Sequence, residues 1–159
     1  MDAIKDELLN FWFGGREDDA AEIATTRAEL WWGHKPETDE LLQERFGMAV
    51  TAAAGGVLDH LVGSPRGRLA LVLLLDQLPR AVYRNTPRAF ATDAKALETA
   101  NRGLDSGADR LLRPIERVFM YLPFEHSEDL RHQELCVELM RGLVTEVPES
   151  HRETFEGFL

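Results

Sequence analysis

The chain has 159 residues, 44% of them hydrophobic and 29% charged, with a formal net charge of −10 and one cysteine. Those values fit one folded domain over residues 1–159 that needs no disulfide or metal staple. They exclude a disulfide scaffold or Cys-rich zinc module, and the acidic balance argues against a phosphate-backbone binder, so no nucleic-acid partner is expected.

Leu8, Leu9, Phe11 and Trp12 form an apolar stripe at helical spacing that ends at Gly14-Gly15. A second helix is predicted from about Asp18 through Trp32, stopped by Gly33. Pro36 opens a third, carried by Leu41, Leu42, Phe46, Met48, Ala49 and Ala53 until Gly55-Gly56. Ser64-Pro65 reads as an N-cap followed by proline at the first helical position. The helix it starts, to about Leu78, is apolar nearly all round and is predicted to be the central buried one, ended or kinked by Pro79.

Thr92-Asp93 starts the next helix, to about Leu104. Pro114 begins another, closed by Pro123. Ser127, followed by Glu128 and Asp129, is predicted to cap the last long helix, to about Val147, with a short helix after it within His151–Leu159. No run alternates with period two. The expected fold is all-α, with antiparallel helical hairpins stacked in a right-handed array or bundle. The longest apolar run, Leu69 to Leu75, falls far short of the ~20 residues of a membrane span. With no signal peptide visible either, no membrane partner and a cytoplasmic location are expected.

Phosphate-binding, dinucleotide-binding, nucleophile-elbow and zinc-protease motifs are all absent from the sequence, so no cofactor is expected. Three constellations remain. Between Ser64 and Ala91, five arginines (Arg66, Arg68, Arg80, Arg84 and Arg88) face one carboxylate, Asp76. A positive patch on an acidic chain can focus a small anion. Equally, Asp76, Gln77, Arg80 and Tyr83 can form a structural network, because a buried Asp76 needs a partner and Arg80 stands four residues on.

The second constellation is Glu125-His126-Ser127-Glu128-Asp129 with His132 one turn later. Asp129 and His132 fall on the same helical face as Cys136, Met140 and Leu143, which makes them candidate acid–base groups or, in the plainer reading, a helix cap and a satisfied core histidine. Their i, i+3 spacing is one half of a carboxylate-bridged metal site, but no second half exists in the sequence, so no metal is expected. The third is Cys136, one turn after His132: a thiol–imidazole pair or, more simply, a small core residue.

Leu74-Leu75-Asp76-Gln77-Leu78-Pro79-Arg80 followed by Tyr83-Arg84-Asn85-Thr86-Pro87-Arg88-Ala89-Phe90-Ala91-Thr92-Asp93 resembles the signature of the bacterial family known as domain of unknown function 924. Asn10-Phe11-Trp12-Phe13-Gly14 matches its start, and Glu116-Arg117, Tyr121-Leu122-Pro123, His126-Ser127-Glu128-Asp129 and Gln133-Glu134 match its second half. The resemblance implies a tetratricopeptide-like helical fold and carries no established activity, so no catalytic residue is transferred. Members of that family usually continue with a helix and a basic Phe-Pro-His-Arg-Asn-like segment, which this chain is expected to lack.

Two classes of function stand open. One is a helical binding module whose polar groove, built from Asp76, Gln77, Arg80, Tyr83, Arg84, Arg88, Glu125, His126 and Asp129, takes a small anionic ligand or an acidic peptide of a protein partner. The other is a small hydrolase-type enzyme using Asp, Glu and His acid–base groups of the same pocket. Both require the block after the central helix to meet the block before the last one. Neither implies an oligomeric state.

Overall fold

The computed structural model describes residues 2–15 and 18–159, and it is all-α, with no strand among the described residues. Helix α1 (Asp2–Phe13) buries Leu8, Leu9, Trp12 and Phe13. The stretch expected as one helix is two: α2 (Ala20–Thr26), capped by Asp19, and α3 (Ala28–Trp32). The break has a local cause. The Thr25 and Thr26 hydroxyls donate back to the Ala21 and Ile23 carbonyls, which bends a helix, and Arg27 leaves helical geometry at ψ 0°. Trp31 then donates its Nε1–H to the Trp12 carbonyl at 3.1 Å and ties α3 to α1.

Helix α4 (Pro36–Ala54) presents Leu42, Phe46, Val50 and Ala53 to the core at helical spacing. After a 3₁₀ turn over Asp59–Gly63, Ser64 caps α5 (Pro65–Val72) by accepting from the Gly67 N–H at 3.0 Å. The helical path does not stop at Pro79. It widens into a π-helical turn over Leu73–Gln77 and continues as α6 (Leu78–Val82). Proline at 79 removes the N–H that an α-helix would aim at the Leu75 carbonyl. The Thr92 hydroxyl supplies a donor there instead, at 2.6 Å. Leu69 through Leu75 are all buried, so this segment is the central one; α1, α7 and α8 pack around α5.

Helix α7 (Asp93–Ser106) runs a little past Leu104 and closes on Gly107 at φ +77°, a conformation that favours glycine. Its inner face is small (Ala96, Ala100, Gly103), and a Cβ on Gly103 would stand 2.8 Å from Arg68 Cδ. Helix α8 (Pro114–His126) does not end at Pro123 as the sequence suggests; it passes through it for another turn. Ile115, Val118 and the run Phe119 to Phe124 are all buried, and that packing outweighs the ~3 kcal/mol a mid-helix proline costs. The added turn is what carries His126 to its position.

Helix α9 (Leu130–Glu146) is capped by Asp129, not by Ser127. Asp129 accepts from the Arg131 N–H at 2.9 Å, while the Ser127 hydroxyl is engaged with His132 Nδ1 at 2.8 Å and the Asp129 N–H at 3.2 Å. A short α10 (Arg152–Glu156) packs back on α9. Phe119 is the aromatic hub of the core, edge-on to Trp12, Phe13 and Trp31 and stacked on Trp32 at an interplanar angle of 11°.

Candidate functional site

Asp76 sits in the π-helical turn and is fully buried. Such turns occur often at functional positions because the extra residue re-aims a side chain. A carboxylate at this depth needs donors on both oxygens. Oδ2 accepts from Gln77 Nε2 at 2.9 Å; Oδ1 accepts from Arg80 at 3.2 Å and pairs with His126 Nδ1 at 2.8 Å. The block after the central helix and the block before α9 therefore meet at Asp76, across 50 residues of sequence. An ionised carboxylate only accepts, so Nδ1 of His126 is the donor and the neutral ring keeps its lone pair on Nε2.

Arg80 and Arg84 continue the α6 surface. Arg80 lies under the Phe90 ring, donates to the Asp76 carbonyl, and forms a two-pronged pair with Asp93 at 2.9 and 3.0 Å. Arg84 grips Asp39 of α4 in the same way, at 2.6 and 3.0 Å, and donates to His34 Nδ1 at 2.8 Å. The Asp39 hydrogen bond holds the Arg84 guanidinium above even its usual basicity. These forks are directional, and lysine would not reproduce them.

Several of these groups line a cleft of about 290 Å³. Its polar end is Gln77, Arg80, Arg84, His34, Asp39 and His126; its wall is Trp12, Trp31, Trp32, Leu30 and Leu42. His34, Arg80 and Arg84 also border a second cavity of about 610 Å³ on the Phe90 side. His126 Nε2 makes no hydrogen bond among the described residues, and neither does the buried Nε1–H of Trp12.

The other residues singled out in the sequence lie elsewhere. Tyr83 and Arg88 pair with each other, the guanidinium 4.1 Å over the ring and 3.0 Å from its hydroxyl, and neither lines the cleft. Glu125 is exposed and borders a separate groove with Leu122 and Phe158. Asp129 caps α9 and is forked by Arg131, whose hydrogen bonds hold its carboxyl down to about 2. His132 packs edge-on against Phe124. Cys136 is buried, and burial pushes its thiol up to about 11, so it supplies no thiolate near neutrality. Among the described residues no three His, Cys, Asp or Glu side chains converge as metal ligands.

Two polar residues of the cleft were not singled out in the sequence: His34 and Asp39. His34 follows the Gly33 stop of a helix, the kind of loop that carries functional groups. Asp39 reads locally as a first-turn helix acid; nothing near it in sequence announces Arg84, 45 residues away.

The chain belongs to the family of bacterial proteins of unknown function DUF924, whose profile matches residues 8–158. It is similar in structure to a protein of unknown function from Agrobacterium tumefaciens, with 31% identity, 88% of this chain and 82% of that one covered, and a TM-score of 0.68. No curated protein matches the chain.

Proposed function

We propose that the cleft is the active site of a small hydrolase-type enzyme in which His126, oriented by Asp76, is the general base. The observation that carries this reading is the 2.8 Å Asp76–His126 contact at the edge of a cleft that His126 lines, with Nε2 left unbonded. A carboxylate behind an imidazole fixes its tautomer and stabilises the imidazolium once a proton arrives. Among the described residues no serine, threonine, cysteine or lysine lines the cleft, and in this reading the base acts on water or directly on the substrate rather than on a protein nucleophile. Water gives a proton to Nε2 as its oxygen attacks the substrate, and the imidazolium returns that proton to the leaving group.

The binding-module reading depends on an excess of positive charge. Arg80 and Arg84 face three carboxylates, Asp39, Asp76 and Asp93, which cancels that excess, so net charge alone draws no anion here and any anion is held by directed N–H groups. The test is turnover of chromogenic esters, anilides and phosphomonoesters by the wild type and by His126→Asn. Asparagine keeps a donor where Nδ1 stands and removes Nε2. One substrate class should be turned over, with the variant slower by about 10²–10⁴-fold and its melting curve nearly unchanged. No turnover of any class, or equal rates in the two proteins, overturns the reading.

A further inference from the structure

Hydrogen-bonding capacity in this cleft is unevenly spent, and the imbalance describes the molecule that fits it. Trp12 is 2% exposed, lines the cleft, and has an Nε1–H that is buried without an acceptor. Buried N–H groups nearly always have a partner, so an orphan beside a cavity marks a position for an acceptor.

His34 adds a second unspent donor. Arg84 has only donors, so the 2.8 Å contact makes His34 Nδ1 the acceptor and places the ring proton on Nε2. His34 and His126 thus line one cleft with opposite tautomers: the first offers an N–H, the second a lone pair. Arg84 spends three of its five N–H groups on Asp39 and His34, leaving two more donors beside them. Against these donors stand two free acceptors among the described cleft residues, His126 Nε2 and the Gln77 side-chain carbonyl.

We infer that the substrate is a small planar ester or amide that also bears a carboxylate, the carboxylate oxygens seated among Trp12 Nε1–H, His34 Nε2–H and the spare Arg84 N–H groups, with its flat apolar body against Trp31 and benzoate as its unreactive mimic. The cleft lies at the low end of the ~300–1,000 Å³ range of small-molecule sites, which suits a one-ring body. Asp39, Asp76 and Asp93 nearby disfavour a doubly charged phosphate. As a neutral imidazole, His34 acts by donating a hydrogen bond to substrate oxygen and gives up no proton. The inference rests on the acid–base reading for the role of His126 alone.

The test follows the indole N–H signals of the full chain by ¹H–¹⁵N NMR during titration with benzoate, the Trp12 signal being assigned through Trp12→Phe. Benzoate should move that signal saturably at millimolar concentration, cyclohexanecarboxylate should bind more weakly, and inorganic phosphate should leave it in place. His34→Asn keeps an acceptor for Arg84 but lacks the Nε2–H, and it should weaken benzoate about 5–10-fold. This exposed position keeps the test informative even where Trp12→Phe perturbs the core. An unmoved Trp12 signal, an affinity unchanged in His34→Asn, or equal competition by phosphate overturns the inference. His126→Asn should bind benzoate within about twofold of the wild type. Benzoate binding without turnover of any ester or anilide therefore breaks the catalytic reading alone; turnover lost in His126→Asn without benzoate binding breaks this one alone.

Discussion

Two buried aspartates, Asp76 and Asp109, anchor two polar networks in this molecule, and only one of them ends in an imidazole. Asp109, 4% exposed, accepts from the Tyr121 hydroxyl at 2.7 Å; that hydroxyl accepts from Arg117 Nε at 2.9 Å, and Arg117 pairs with Glu146. None of its members is an imidazole, and Arg117 keeps N–H groups beyond these two bonds. The groove beside it is larger, about 790 Å³ against about 290 Å³. Asp76 has three side-chain partners, and its chain terminates in His126 Nε2 at a cleft wall. Burial of a carboxylate and size of a cavity do not separate scaffold from candidate chemistry here. The unbonded imidazole nitrogen does.

The sharpest way to break the comparison is Asp76→Ala. It strands Arg80 and His126 against a void, and should cost about 3–5 kcal/mol, a fall of roughly 8–15 °C in the melting midpoint. A loss below about 1 kcal/mol in chemical denaturation would mean that Asp76 is not the keystone of its network.

Tyr121→Phe is the matching cut in the Asp109 network. It should cost about 1–3 kcal/mol while leaving benzoate binding untouched; a change in binding would join the two networks. Burial first, and then the bond to Asp109, raise the Tyr121 pKa above its ordinary value of 10. A raised folded-state pKa means that stabilisation is complete below pH 10 and lost as pH rises beyond it. Melting curves across that range should therefore fall less steeply for the variant.

Cys136 belongs to neither network and gives a smaller effect of the same sign. Burial, and secondly the charge of Glu125, lift its pKa from 9.0 to about 11, so its contribution fades between those values. Cys136→Ala should flatten that limb, and iodoacetamide at pH 8 should label the folded wild type far more slowly than the urea-unfolded chain.

The smallest effect is at Asp129, which the sequence grouped with the cleft and the structure places on a helix end. Its depressed pKa of about 2 means that its contribution is present above the ordinary 3.8 and lost as pH falls towards 2. Asp129→Ala should lower the melting midpoint by about 3 °C at neutral pH and converge with the wild type in acid. Loss of benzoate binding in that variant would return Asp129 to the site.

Much of this architecture was legible locally. Ser64-Pro65, Pro36, Gly33 and Gly55 marked helix ends, because caps and breakers act within one turn of chain. The need of Asp76 for a partner was legible too, and Arg80 at i+4 is one. The same local signals misled at Pro123, where burial of Phe119 through Phe124 overrode the breaker, and at Ser127, where Asp129 two residues on took the cap.

By itself, the sequence determined the helices, the buried central segment and the two polar blocks, since periodicity and capping are properties of neighbours along the chain. Tertiary structure alone decided which atoms remain unspent. The π turn over Leu73–Gln77, Thr92 replacing the donor that Pro79 lacks, Arg84 meeting Asp39 and His34, and His126 carried past Pro123 to Asp76 all join positions 17 to 50 residues apart or depend on such joins. Hydrogen-bond saturation is settled only when every donor has found its acceptor in space. The unbonded imidazole nitrogen at its end is what distinguishes the cleft at Asp76 from the network at Asp109.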